Sequence, residues 1–266
     1  MSRLTDQEYL LTEQYHDASN LNARIQLHTR FSTNKYGWHR WVFDQFRLPA
    51  QCRILELGCG PGRLWLANLP RIPQGWDITL SDFSVGMLEE ARRNLGDSPR
   101  PFRFAIADAQ SIPFGAERFG AIIANHMLYH VPDRQKAYTE VHRVRKRGGR
   151  FYATTNGQTH LQEMDELARR AGFPGAKMAG AQANPFRLEN GLAELSAWLS
   201  NVTLRRYEDS LLVTEAAPLI AFILSTAYRS QATDEQVAEL TRLVERELAE
   251  HGAILVTKDA GLFEAN

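Results

Sequence analysis

The run Arg53-Ile54-Leu55-Glu56-Leu57-Gly58-Cys59-Gly60-Pro61-Gly62 decides the fold. Ile54, Leu55 and Leu57 form a short apolar segment closed by glycine, the pattern of a buried parallel strand. Gly58, Gly60 and Gly62 then alternate with other residues, so the backbone at the strand end can approach a ligand where a side chain would clash. A helix starting near Gly62 would aim its free N–H groups at the same place. The stretch predicts a small-molecule site at the carboxyl end of a strand in an open α/β sheet.

Working outward, strands and helices alternate. Strands are expected over residues 53–57, 77–80, 102–107, 119–125 and 150–155. Helices are expected over 62–69, 84–95 and 134–145, with Gly148-Gly149 turning into the fifth strand. Such alternation implies a parallel sheet with right-handed crossovers. Residues 157–200 read as a polar helical insert with a loop near 180–185. Residues 202–207 and 210–214 are strand-like, 216–228 and 233–251 helical, and 253–258 a last strand before a tail at 261–266. Upstream, residues 1–48 read as helices. Thr5 and Glu8 make a capping box, Ser19 or Asn20 starts a helix to about residue 31, and Trp38, Trp41, Val42 and Phe46 share helical spacing before Pro49.

The totals exclude several function classes. The 31 basic and 31 acidic residues cancel, so no net field draws the chain to nucleic acid or an anionic membrane. Cys52 and Cys59 are the only cysteines and lie in one strand and turn, which argues against a disulfide framework and for a reducing compartment. No apolar run approaches the roughly 20 residues that span a bilayer, and the N-terminus lacks a signal-peptide core. A cytoplasmic protein is expected, with a homodimer as the assembly allowed for.

Arg63 stands where a dinucleotide fingerprint needs its third glycine, and a phosphate loop needs Lys followed by Ser or Thr; neither ligand fits the loop. Asp82, at the end of the second strand, is placed to accept bonds from both ribose hydroxyls, or else to cap the next helix. Asp108, followed by small Ala109, suits an adenine amino group, and Asn125-His126 ends the fourth strand beside the loop. Polar residues at four strand ends thus converge on one sheet edge.

The segments ILELGCGPG, TLSDFSVGML, FAIADAQSIPF, FGAIIANHMLYHVPD and RGGRFYATT, in that order, resemble the class I S-adenosylmethionine-dependent methyltransferases, and within them the ubiquinone/menaquinone-type small-molecule subgroup. The resemblance covers roughly residues 53–155. It implies a Rossmann-like α/β fold whose seven-stranded, mostly parallel sheet has the order 3-2-1-4-5-7-6, with residues 253–258 as an antiparallel strand 7. It divides the chain into a helical N-terminal lid (1–48) and a methyltransferase domain (49–266), whose helical insert at 157–200 would contribute to the acceptor pocket. It implies S-adenosylmethionine as cofactor, S-adenosylhomocysteine as product, and no metal. Glu56, Gly58, Gly60 and Gly62 would form the methionine side of the pocket. Asp82 would hold the ribose, Phe83 would lie on the adenine and Met87 would line its pocket. Asp108 and Ala109 would bind the adenine edge, and the Asn125 backbone would hold the methionyl portion.

Methyl transfer from a sulfonium is an in-line displacement that needs proximity, orientation and exclusion of water, and a general base only where the acceptor loses a proton. His126, next to the reacting methyl, is the first choice for that base; the bland reading is a histidine bonded to backbone, and blander still for His130. In the lid, Tyr15 is a candidate contact to the sulfonium and a catalytic candidate, and Arg24 a partner for the donor's carboxylate; a surface role competes for Arg24, and core packing for Phe31, Trp38 and Trp41. Trp198, Phe186, Tyr207, Phe222 and Tyr228 suggest a mostly apolar, aromatic acceptor such as a phenol or an indole. The run Arg143, Arg145, Lys146, Arg147, Arg150 reads as a helix C-terminus complementing its dipole. Cys59 reads as a small loop residue. No spacing fits a metal site. The competing readings are a non-catalytic, donor-binding regulatory protein and a nicotinamide-dependent reductase.

Overall fold

A computed structural model of the chain describes residues 26–173, 185–225 and 232–266. Its centre is a seven-stranded sheet of order β3-β2-β1-β4-β5-β7-β6. The strands are β1 (Gln51–Leu57), β2 (Gly75–Asp82), β3 (Arg103–Ile106), β4 (Phe119–Asn125), β5 (Arg145–Asn156), β6 (Thr203–Val213) and β7 (Ile254–Ala265). The first five are parallel, and β7 runs antiparallel between β5 and β6.

Alternate residues of the central strands feed two cores. Leu55, Leu57, Ile122, Ala124, Phe151 and Phe263 lie on one face, under α4 (Arg134–Val144) and α6 (Leu188–Ser196). Ile54, Ile78, Leu80, Ile123 and Tyr152 lie on the other, under α1 (Trp38–Asp44), α2 (Arg63–Leu66) and α3 (Val85–Leu95). A third cluster gathers α5 (Gln162–Arg170), α7 (Ala216–Ile223) and α8 (Asp234–His251) against Leu211, Val213 and Val256 at the far end of β6 and β7. Leu27 and Phe31, from the helical residues 26–31, enter this third cluster and not the sheet.

The sheet order and the β4 limits are those expected; several boundaries are not. The tail expected at 261–266 is the inner half of β7, where Ala260 to Ala265 pair with Asn156 to Phe151. Both faces of that half are covered, so it lacks the alternation that marks a half-exposed strand. The two strand-like segments 202–207 and 210–214 are one continuous strand, β6. The helix expected over 62–69 is a single α turn followed by a 3₁₀ turn at Leu69–Arg71, where Pro70 interrupts it. β5 starts at Arg145, with a register shift opposite Phe119 and Ala121. The basic run therefore lies mostly on a strand, and its cations take internal partners. Arg143 holds Glu140 and the Phe114 and Ile112 carbonyls, and Arg147 holds Glu117. Within the expected insert at 157–200, α5 packs in the third cluster and α6 in the first. The caps expected at Thr5 and at Ser19 or Asn20 lie outside the described residues.

Candidate active site

The carboxyl end of β1 carries the glycine loop, and Gly58, Gly60 and Gly62 all have positive φ (64°, 52° and 73°). At Gly58 a Cβ would lie 2.8 Å from the Met127 Cβ, so the bare glycine lets the loop settle on the chain leaving β4. At Gly60 a Cβ would meet nothing within 4 Å among the described residues, so the crest of the loop has open space on its Cα side.

Asp82, 5% exposed at the end of β2, binds this crest. Its Oδ2 accepts from the Gly60 N–H and its Oδ1 from the Ser84 N–H, both at 2.9 Å. The cap of α3 is Ser84, whose Oγ accepts from the Met87 N–H at 3.3 Å, so Asp82 is not the cap. Each Asp82 oxygen keeps acceptor capacity beyond its backbone bond, as two ribose hydroxyls would require. Burial pushes its carboxyl up to about 6, against the lowering effect of the Ser84, Gly60 and Phe83 N–H groups.

Glu56, 1% exposed, stands one residue before the end of β1. Its Oε2 accepts from the Trp65 indole N–H at 2.6 Å. Burial pushes this carboxyl up to about 8; the Trp65 bond opposes that shift and the nearby Asp82 adds to it. Burial, with Asp82 and Glu56, also raises the Cys59 thiol well above its ordinary value, which keeps it protonated and makes it a packing residue. Phe83 is half-buried and Met87 is 2% exposed on the first turn of α3. Asp108 follows β3 and is folded onto its own turn: Oδ1 accepts from the Gln110 N–H at 2.9 Å, and Gln110 Nε2 bridges both oxygens at 3.1 Å. Ala109 is buried in the main core.

β4 ends with Asn125, whose Oδ1 accepts from the Thr154 hydroxyl at 2.6 Å. His126 follows in the left-handed conformation (φ 53°), with its N–H on Thr154 Oγ1 at 2.9 Å. This turn presents its ring to Trp38 at 5.0 Å. Burial, helped by His160, His39, Lys258 and His130, pushes the His126 imidazole down to about 3. Trp38 also stacks on Trp41 at 5.4 Å and meets Tyr207 edge-on at 5.4 Å. The Lys258 ammonium lies 5.7 Å from the centre of the Tyr207 ring and pairs with Asp209. Helix α1 and strand β6 thus bring an aromatic wall to the end of β4.

The structure therefore gathers Glu56, the three glycines, Asp82, Phe83 and Met87 around β1 and β2, with Asp108, Ala109 and Asn125 on the flanking strand ends. Tyr15 and Arg24 lie outside the described residues, as does Tyr228. Phe186 and Phe222 are not pocket residues: Phe186 packs on Phe263 at 5.6 Å in the main core, and Phe222 lies in the third cluster. Trp198 lines a surface cleft with Pro132, Arg134 and Glu194. Sequence reasoning missed Trp65 and Met127. Trp65 sits nine positions after Glu56 on the helix that follows the loop, and that spacing was the available signal. Among the described residues no group of three His, Cys, Asp or Glu could hold a metal ion, and no helix is long and apolar enough to cross a membrane.

Comparison with known proteins agrees with this geometry. Residues 55–153 match the family described as a methyltransferase domain. The ubiquinone/menaquinone biosynthesis C-methyltransferase UbiE of Coxiella burnetii is 34% identical over 119 residues, covering 42% of this chain and 48% of that protein. The chain thus spans about half the length of the curated relatives it matches. Among solved structures, the Bacillus subtilis YcgJ protein superposes with a TM-score of 0.58 at 20% identity, covering 85% of this chain and 96% of that one. A phosphoethanolamine N-methyltransferase 2 of Haemonchus contortus gives 0.59 at 16% identity, covering 98% and 59%. These two likenesses are of fold. Sheet order, glycine loop and the match over residues 55–153 together make the chain similar to the methyltransferase domain of these proteins.

Proposed function

We propose that this protein transfers a methyl group from S-adenosylmethionine to a small, mostly apolar, aromatic acceptor. The observation that carries the donor half is the crest at Gly60: a backbone with open space on its Cα side, whose N–H is held by a buried carboxylate at the end of the next strand. Bound there, S-adenosylmethionine supplies an electrophilic methyl on a cationic sulfur. Asp82 would take the ribose hydroxyls, Phe83 and Met87 the adenine faces, and Asp108 with Ala109 the adenine edge. Glu56 would take the ammonium and the Asn125 backbone the methionyl portion. Tyr15 and Arg24 are proposed contacts from the N-terminal segment.

The acceptor half rests on the wall of Trp38, Tyr207 and His126, whose ring faces suit a planar acceptor. The relatives' names are compatible with it: one is a C-methyltransferase of ubiquinone/menaquinone biosynthesis, and a quinone is a planar ring. His126, neutral wherever pH exceeds about 3, accepts a hydrogen bond or proton from the acceptor and donates no positive charge. As a weak base it would take the proton late, along with methyl transfer.

Calorimetric titration with S-adenosylhomocysteine tests the donor site: Asp82→Ala should weaken binding at least tenfold, and unchanged affinity would remove Asp82 from the ribose. Mass spectrometry across quinols, phenols and indoles tests the acceptor, where a product heavier by one methyl is expected. With an acceptor found, His126→Ala should lower kcat and leave S-adenosylhomocysteine binding intact. Asp82 titrates at about 6, so any inflection of kcat near the ordinary histidine value should persist in His126→Asn; an inflection lost in that variant would refute a neutral His126.

A further inference from the structure

Glu56 and Trp65 bracket the glycine loop, one on the strand that enters it and one on the helix that leaves it. The Trp65 side chain is completely buried, packed among Phe43, Phe46 and Phe102 at ring separations of 6.4 Å. It has one polar atom, and that atom is bonded to Glu56. Among the described residues Trp65 is the hydrogen-bond donor that the Glu56 carboxyl has, although a carboxylate has about four acceptor positions. Buried carboxyls are normally better satisfied. Glu56 stands two positions before Gly58, and Asp82 is near enough to add to the upward shift of its carboxyl.

We propose that Trp65 is a positioning residue for donor binding: its indole N–H holds the Glu56 carboxyl at the angle at which the free oxygen receives the donor's α-ammonium. This inference rests on the donor reading given above. The bond closes a ring across the loop, from strand through glycines to helix and back through two side chains. It thereby fixes the distance between the ammonium site on β1 and the ribose site on Asp82. Packing of the indole sets the geometry, because a residue wedged among three aromatic rings has one available rotamer. Phenylalanine at 65 would keep most of that packing and lose the N–H.

Two ligands separate positioning from plain core packing. S-adenosylhomocysteine carries the amino-acid arm; 5′-methylthioadenosine has the same nucleoside and thioether but no ammonium or carboxylate. In Trp65→Phe the affinity for S-adenosylhomocysteine should fall about tenfold, the worth of a hydrogen bond to a charged group. Affinity for 5′-methylthioadenosine should stay within twofold. The ratio of the two constants is independent of the fraction of protein that folds. Incorporating 3-benzothienylalanine at position 65, which keeps the bicyclic shape without an N–H, should give the same ratio change. Glu56→Gln should also give it, and the double variant should add nothing further. Equal weakening of both ligands, or an unchanged ratio, would overturn the proposal and leave Trp65 as core. Wild-type protein that binds neither ligand would overturn the donor reading itself, and this inference with it.

Discussion

Burying Glu56 has a thermodynamic signature that can be read without any ligand. Its carboxyl titrates at about 8 in the folded protein against an ordinary 4.5. Between those values the folded state keeps a proton that the unfolded chain has lost, so stability falls as pH rises. Asp82 acts in the same direction from 3.8 up to about 6. His39, His126 and His160 act oppositely. Burial holds them near 4, 3 and 3 against 6.5, so the folded state carries fewer protons than the unfolded one, and their penalty is gone once pH passes 6.5. Above pH 6.5 Glu56 is the one of these five groups still titrating differently in the two states. The melting temperature of donor-free protein should therefore decline from pH 6.5 to 8, with a slope of at most about 1.4 kcal/mol per pH unit. Glu56→Gln should flatten that decline. Equal slopes in the two proteins would refute the burial argument.

The segment between the first described helix and α1 is tied to β6 by Thr33 and Asn34 bonds to Ser210 and Glu208 and by the Asp209 carboxylate. Asp209 accepts from the Ser32 hydroxyl at 2.6 Å and from the Asn34 N–H at 2.9 Å, and pairs with Lys258 on β7. Its side chain is fully buried, so Asp209→Ala would strand the Lys258 ammonium at a cost of about 3–5 kcal/mol. It would also loosen residues 32–37, which would keep their bonds to Ser210 and Glu208, and with them the seat of Trp38 on His126. Hydrogen exchange should then quicken at residues 32–37 well before the strands, and uniform quickening would mean that Asp209 serves stability alone. No sequence pattern pointed to this clamp, because Ser32 and Asp209 are 177 positions apart. What was legible was local. The β1–loop pattern, Asp82 at a strand end and the β4 limits all rest on residues within a few positions of each other. The inner half of β7 was hidden because burial on both faces erases periodicity. The aromatic acceptor list failed at Phe186 and Phe222 because composition does not say which way a ring points. Trp38 and Tyr207, from distant elements, meet at His126 through the fold alone.

The antiparallel insertion of β7 divides the labour of the molecule. The residues proposed for the donor cluster at β1 and β2, while β4 and β5 lie between β1 and β7. Much of the cohesion, by contrast, passes through the chain's last strand. Glu264 is buried between Arg150 and Arg205, each 3.5 Å away, and Asn266 exchanges backbone bonds with Ser200. Phe263 fills the space over Gly191 so closely that a Cβ there would lie 2.5 Å from its ring. Removing that ring would open a cavity between β7 and α6 that the surrounding backbone is too well paired to close. Phe263→Ala should therefore cost about 3–5 kcal/mol. For a chain of this size that corresponds to a fall in Tm of roughly 5–9 °C. Affinity for S-adenosylhomocysteine at 20 °C, where the variant is still folded, should remain within twofold, since Phe263 packs on Phe186 and Gly191 and β4 and β5 stand between β7 and β1. Thermal melts and titrations on the same preparation check both halves. Lost affinity with an unchanged Tm would show that the loop, and not the core, depends on β7.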